Sequence, residues 1–109
     1  MAKKLLDRAR VHVNSTYNNT IITLTDVDGH VLAWATPGLV GFKGSRKGTP
    51  FAAQLATERL MERMKEYGIK SVVLTINGTG SGRNSVLNAF KNSTFRVEEV
   101  RNVTPIAHS

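Results

Sequence analysis

Lys43, Arg46 and Lys47 fall within eleven residues, Gly41-Phe42-Lys43-Gly44-Ser45-Arg46-Lys47-Gly48-Thr49-Pro50-Phe51, where three glycines are interleaved with three cations. Cations at this spacing reach different oxygens of one polyanion. Glycine lets a backbone come close to a bulky partner. Thr49 and Pro50 have the side chains that open a helix, as N-cap and first helical residue. The free N–H groups and partial positive charge of a helix start suit phosphate. The stretch reads as a clamp on a nucleic-acid backbone, against the plainer reading of a solvated basic loop. A second segment, Asn77-Gly78-Thr79-Gly80-Ser81-Gly82-Arg83, repeats the theme with Gly78, Gly80, Gly82 and one cation, Arg83. Neither loop closes on the Gly-Lys-Ser/Thr of a mononucleotide loop, and the second lacks the dinucleotide spacing. His12, His30 and His108 are dispersed, without paired metal-ligand spacing. Ser45 and Ser85 have no evident base, so no catalytic constellation emerges.

These loops must be held by the elements around them. Residues 1–9 read as a basic arm with Lys3, Lys4 and Arg8, ordered by a partner, and Arg10 opens the first strand. Over 10–15, Val11 and Val13 alternate with His12 and Asn14, the pattern of a half-buried strand. Tyr17-Asn18-Asn19 reads as a turn and Thr20–Thr25 as a β-branched strand. Asp26-Val27-Asp28-Gly29 carries a hairpin signal, and Val31–Thr36 completes an antiparallel meander. Trp34 in that strand is assigned to core packing rather than to base stacking. A helix over 50–67 carries a ridge of Ala52, Ala56, Leu60 and Met64, small at its N-terminal end, with Gly68 placed to stop it. Lys70–Ile76 reads as a central strand buried on both faces. A second helix follows over 83–91 with Val86, Leu87 and Phe90 inward, then a last strand over 94–100 with Phe95, Val97 and Val100 inward.

The order βββαβαβ describes one α/β domain over 10–109, a mixed five-stranded sheet with helices packed on it. Both glycine loops leave strand ends and open helices, so they are expected on one side of the domain, where such sheets bind ligands. The order is similar to the ribonuclease H-like three-layer architecture. Two-metal nuclease chemistry there needs carboxylates on the first strand, the first helix and the fourth strand. The first strand has no acid, the fourth ends at Asn77, and Glu58 stands alone on the helix. Asp26 and Asp28 are explained by turn chemistry. An active ribonuclease H-like enzyme is therefore the weaker alternative, and neither metal nor cofactor is expected.

With 15 Lys and Arg against 8 Asp and Glu, the net charge is +7. Such a field attracts polyanions and makes binding salt-dependent. At 109 residues and 40% hydrophobic content the chain suits one domain with a modest core. The longest apolar runs, Val31–Ala35 and Val72–Leu74, are too short to span a bilayer, and no amphipathic helix of the membrane-lying kind is evident. Met1–Leu6 lacks the apolar run of a signal peptide. There is no cysteine, which excludes disulfides and thiolate metal sites.

Several segments together carry a family resemblance. Gly41 to Gln54 resembles the signature of the universal small ribosomal subunit protein S-eleven family, a motif of fourteen residues with high specificity. Asn18 to Asp26, Ala33 to Thr36, Lys65 to Lys70 and Val103 to His108 also resemble it, and Gly78 to Arg83 stands where the family has Gly-Pro-Gly-x-Gly-Arg. The resemblance runs from about Ala9 to His108, nearly the whole chain. It implies a non-enzymatic ribonuclease H-like protein that bridges small-subunit rRNA helices on the ribosomal platform, near the messenger exit and the Shine-Dalgarno cleft. Proteins S-seven and S-eighteen would be neighbours, with mRNA nearby; no membrane and no homo-oligomer are implied. The implied rRNA contacts are Lys43, Ser45, Arg46, Lys47 and Arg83, and the residue-level reading adds Gly44, Gly78, Gly80, Gly82, Arg10, Lys3 and Lys4. Two features depart from the family. The usual ending is longer and strongly basic, whereas this sequence stops at Ser109 with Ala107 in place of a proline. The second loop lacks its stiffening proline. A trimmed, divergent member suggests an organellar ribosome, such as that of the mitochondrial matrix, with the bacterial cytoplasm as the alternative.

Overall fold

The computed structural model describes residues 5–16, 19–78 and 82–103, with only the backbone at 45 and 46. The strands are β1 (Arg8–Thr16), β2 (Asn19–Thr25), β3 (Val31–Ala35), β4 (Ser71–Gly78) and β5 (Arg96–Val103); the helices are α1 (Pro50–Glu66) and α2 (Gly82–Lys91). Two short 3₁₀ turns, Pro37–Val40 and Gly44–Gly48, connect β3 to α1.

The meander forms as its alternation predicts. β1 and β2 are antiparallel, with Val11 opposite Leu24 and Val13 opposite Ile22, and β2 and β3 are antiparallel with Ile22 opposite Ala35. The β2–β3 turn is held by Asp26, whose carboxylate accepts the amides of Asp28 and His30, each at 2.9 Å. Tyr17 and Asn18 of the expected first turn lie outside the described residues. The sheet order is β3-β2-β1-β4-β5, with β1 parallel to β4 and β4 parallel to β5. β4 is an interior strand, between β1 and β5, and β1 is the middle one of the five.

One core lies between the sheet and both helices. Val11, Val13, Ile22, Leu24, Val72, Leu74 and Ile76 face α1 residues Ala53, Ala56, Leu60 and Met64 and α2 residues Val86 and Phe90. The whole Ala52–Ala56–Leu60–Met64 ridge is buried. Helix α1 ends at Tyr67, followed by Gly68 at φ 73°.

Four expectations are corrected here. Among the described residues both helices pack on one face of the sheet, giving two layers rather than three. Consequently β4 is fully buried on one face only, and Ser71, Val73 and Thr75 on the other are half-buried. Trp34 is not a core residue: it is 55% exposed on the edge strand, opposite Thr23 and away from the inward-facing Ile22 and Leu24. Val100 pairs with inward-facing Leu74 after the register shift that follows Val72, yet it is exposed, as is every residue of the edge strand β5 beyond Val97.

Candidate nucleic-acid interface

β3 and β4 run in the same direction, because β2 is antiparallel to both β1 and β3 while β4 is parallel to β1. Their carboxyl ends therefore lie at one edge of the sheet, and both glycine-rich loops leave from it. After β3 the chain makes the first 3₁₀ turn, stopped at Gly41, and Phe42 N–H returns to Pro37 O at 3.0 Å. Phe42 then meets Phe51 edge-to-face, with ring centroids 6.0 Å apart. That contact ties the basic loop to the first turn of α1. Thr49 is the N-cap: its backbone is extended, and its hydroxyl accepts the Ala52 amide at 3.2 Å. Pro50 occupies the first helical position.

The second loop begins under steric constraint. Gly78 closes β4 at φ 108°, and a Cβ there would lie 1.9 Å from the carbonyl oxygen of Ser15 at the end of β1. Gly82, where α2 starts, is buried against β2 and α1. A Cβ on it would lie 2.2 Å from Thr20 Oγ1 and 3.0 Å from Ala53 Cβ. Ala53 belongs to the first turn of α1. The two helix starts are therefore in van der Waals contact, and a side chain at position 82 would have to displace Thr20 and crowd Ala53.

The sequence-predicted residues are distributed unevenly around this junction. Lys43 and Gly44 are exposed and Lys47 half-buried on the first loop, and neither lysine makes an ion pair among the described residues. Gly78 and Gly82 form its base. Arg83 is also present, but its guanidinium donates inward, to Gly78 O at 3.3 Å and Asn102 Oδ1 at 2.6 Å. It braces the second loop against the end of β5 while remaining partly exposed. Arg10 is not brought to the junction. It pairs in register with Val73, five residues before Ser15, so it stands about 17 Å down the strand on the uncovered sheet face. Lys3, Lys4 and Gly80 lie outside the described residues, as do the side chains of Ser45 and Arg46.

Sequence reasoning missed three supporting groups. Asn102 orients Arg83, the Phe42–Phe51 pair fixes the loop, and buried Thr20 and Ser15 fill the floor with hydroxyls 3.5 Å apart. The first two are tertiary pairings with no local signal; the Thr20 position is visible only through Gly82.

Electrostatic features elsewhere differ in character. On the uncovered sheet face Arg8 pairs with Glu98 at 2.9 Å and Arg101 pairs with Glu99, so cations there are partly neutralised. His12, on the same face, is held below its ordinary range by partial burial and then by the Arg10 charge. Asp26, Asp28 and His30 form a cluster of possible metal ligands on the hairpin turn. Asp26 is held low chiefly by the His30 amide, and its bonds are those of the turn itself.

The chain matches known proteins over nearly its whole length. The family model described as Ribosomal protein S11 matches residues 9–109. A protein of Hamiltonella defensa subsp. Acyrthosiphon pisum (strain 5AT), named small ribosomal subunit protein uS11, is 49% identical over 107 residues, covering 98% of this chain and 83% of the relative. A protein of the same name from Psychromonas ingrahamii is 50% identical with the same coverage. With a match over nearly its whole length, the chain belongs to the ribosomal protein S11 family.

Proposed function

We propose that this chain is a structural component of the small ribosomal subunit that grips rRNA at the β3/β4 edge without catalysing a reaction. The carrying observation is the abutment of the two helix starts at Gly82 and Ala53 beneath the basic loop. It sets two partial positive ends and the Lys43–Lys47 cations on one surface, a match for sugar–phosphate chains. Readout is mainly of shape and backbone. Lys43, Gly44, Ser45, Arg46 and Lys47 make the phosphate contacts, and Gly78, Gly80 and Gly82 admit the close approach. Arg83 adds charge while positioning the second loop. The basic arm with Lys3 and Lys4 contributes further contacts. Family membership supports a site on the platform near the messenger exit, beside proteins S-seven and S-eighteen. The named relatives are bacterial, which favours a bacterial ribosome over the organellar one. The ribonuclease H-like relationship is supported by the meander followed by parallel β4 and β5.

The test is binding of the purified chain to a platform rRNA fragment at moderate salt. Replacing Lys43, Arg46 and Lys47 by Ala together is expected to weaken binding by about 10- to 100-fold or more, in line with lost charged contacts. Unchanged affinity would sink the clamp.

A further inference from the structure

We propose that the free edge of β3 receives an added strand from a neighbouring ribosomal protein, an extended segment that carries a carboxylate and a bulky apolar side chain. β3 ends the sheet order, and β2 pairs with one side of it. Along the other side, the backbone groups of Val31–Ala35 meet no partner among the described residues. Such a row of unpaired N–H and C=O groups is a template for another strand, and proteins usually guard it with Lys, Pro or a bulge. The sequence Val31-Leu32-Ala33-Trp34-Ala35 holds neither a charge nor a proline, and its irregularity is confined to Leu32, skipped between the Thr25–Val31 and Leu24–Ala33 pairs, so Ala33–Ala35 is left regular.

The ground beside this edge is shaped and charged. A cleft of about 480 Å³ lies between the strand and α1, lined by Val31, Leu32, Trp34, Leu39, Arg59 and Arg63. Val31, Trp34 and Leu39 are each more than half exposed. Arg59 has no ion-pair partner among the described residues, and Arg63 has only Glu66 at 3.8 Å. A cleft with a mixed polar and apolar lining and a cationic wall, beside the exposed Val31 and Leu39, matches an apolar side chain flanked by a carboxylate. The edge itself selects protein over RNA. A strand returns alternating donors and acceptors at the spacing β3 presents, whereas the donors of RNA, its 2′-hydroxyls and base edges, do not recur at that spacing. A second copy of this chain fits poorly, since it would bring Arg59, Arg63 and a +7 field against their own kind.

This inference uses the ribosomal reading only to choose the particle, and it involves none of the loop cations. The experiment places the photo-crosslinker p-benzoylphenylalanine at Val31 and assembles the chain into small subunits. Expected are crosslinks to an extended Asp- or Glu-bearing segment of another ribosomal protein, and slower amide hydrogen exchange at 31–35 in the particle than in the free chain. Replacing Arg59 and Arg63 by Glu is expected to cut the crosslink yield about tenfold or more. The same variant, free in solution, is expected to keep its affinity for the platform rRNA fragment, which separates this edge from the clamp. The exchange comparison uses the unmodified chain and so reads the edge even where a substitution blocks assembly. Crosslinks to rRNA or to a second copy, or exchange at 31–35 as fast in the particle as outside it, would overturn the proposal.

Discussion

Two glycines at the junction fix how closely the elements approach, and each can be tested alone. At Gly78 an added methyl meets backbone, the Ser15 carbonyl, in a residue already at φ 108°. Backbone there cannot yield without breaking the β1–β4 pairing, so Gly78→Ala is expected to destabilise the fold by at least about 2 kcal/mol in urea denaturation. At Gly82 the nearest obstacle is a side-chain oxygen, Thr20 Oγ1. Gly82→Ala should also destabilise, but Thr20→Ala in the same chain should restore at least about half of the loss, a coupling read from a double-mutant cycle. Equal losses with and without Thr20 would mean that Ala53 sets the limit instead. His12 offers a pH-dependent test. Its folded-state pKa is depressed, so below its ordinary value of about 6.5 the unfolded chain binds the extra proton first. Stability is expected to fall as pH drops through that value and to level off below the folded-state pKa. His12→Gln should flatten this slope in urea midpoints measured across the range.

The elements themselves were largely legible, and the reason differs from one to the next. The meander follows from period-two alternation and the Asp26–Gly29 turn, both local properties. The start of α1 follows from Thr49-Pro50, whose capping chemistry is written within four residues. Removing that cap by Thr49→Ala is expected to cost about 1 kcal/mol in thermal or urea unfolding, with Thr49→Ser close to neutral. rRNA affinity should fall with the cap, because the first turn that aims N–H groups outward loses its tie. What the sequence concealed was which face of the sheet the helices choose. β4 reads as buried on both faces because Val72, Val73 and Leu74 are consecutive, yet both helices lie on the side of Val72 and Leu74. Trp34 reads as core because tryptophan usually is; its place on an edge strand is set by sheet order, which no local pattern encodes. Arg83 likewise appears as a free cation in sequence, since its partner Asn102 lies nineteen residues away.

At the scale of the molecule, stacking both helices on one face brings their starts together and separates two basic surfaces. The β3/β4 edge carries Lys43 and Lys47 without ion pairs among the described residues. The uncovered sheet face carries Arg8, Arg10, Arg96 and Arg101 against Glu98 and Glu99, in two ion pairs. Net charge alone would let either surface hold RNA, so affinity at a single salt concentration does not separate them. The salt slope does, because it counts phosphates neutralised. Lys43→Ala with Lys47→Ala is expected to lower the slope of log affinity against log salt by about 2, one for each lost phosphate contact. Arg10→Ala, about 17 Å from the edge, is expected to change it by well under one. Measured with the platform fragment between low and physiological salt, the reverse ranking would move the interface to the uncovered sheet face. It would leave the helix starts as a packing junction alone.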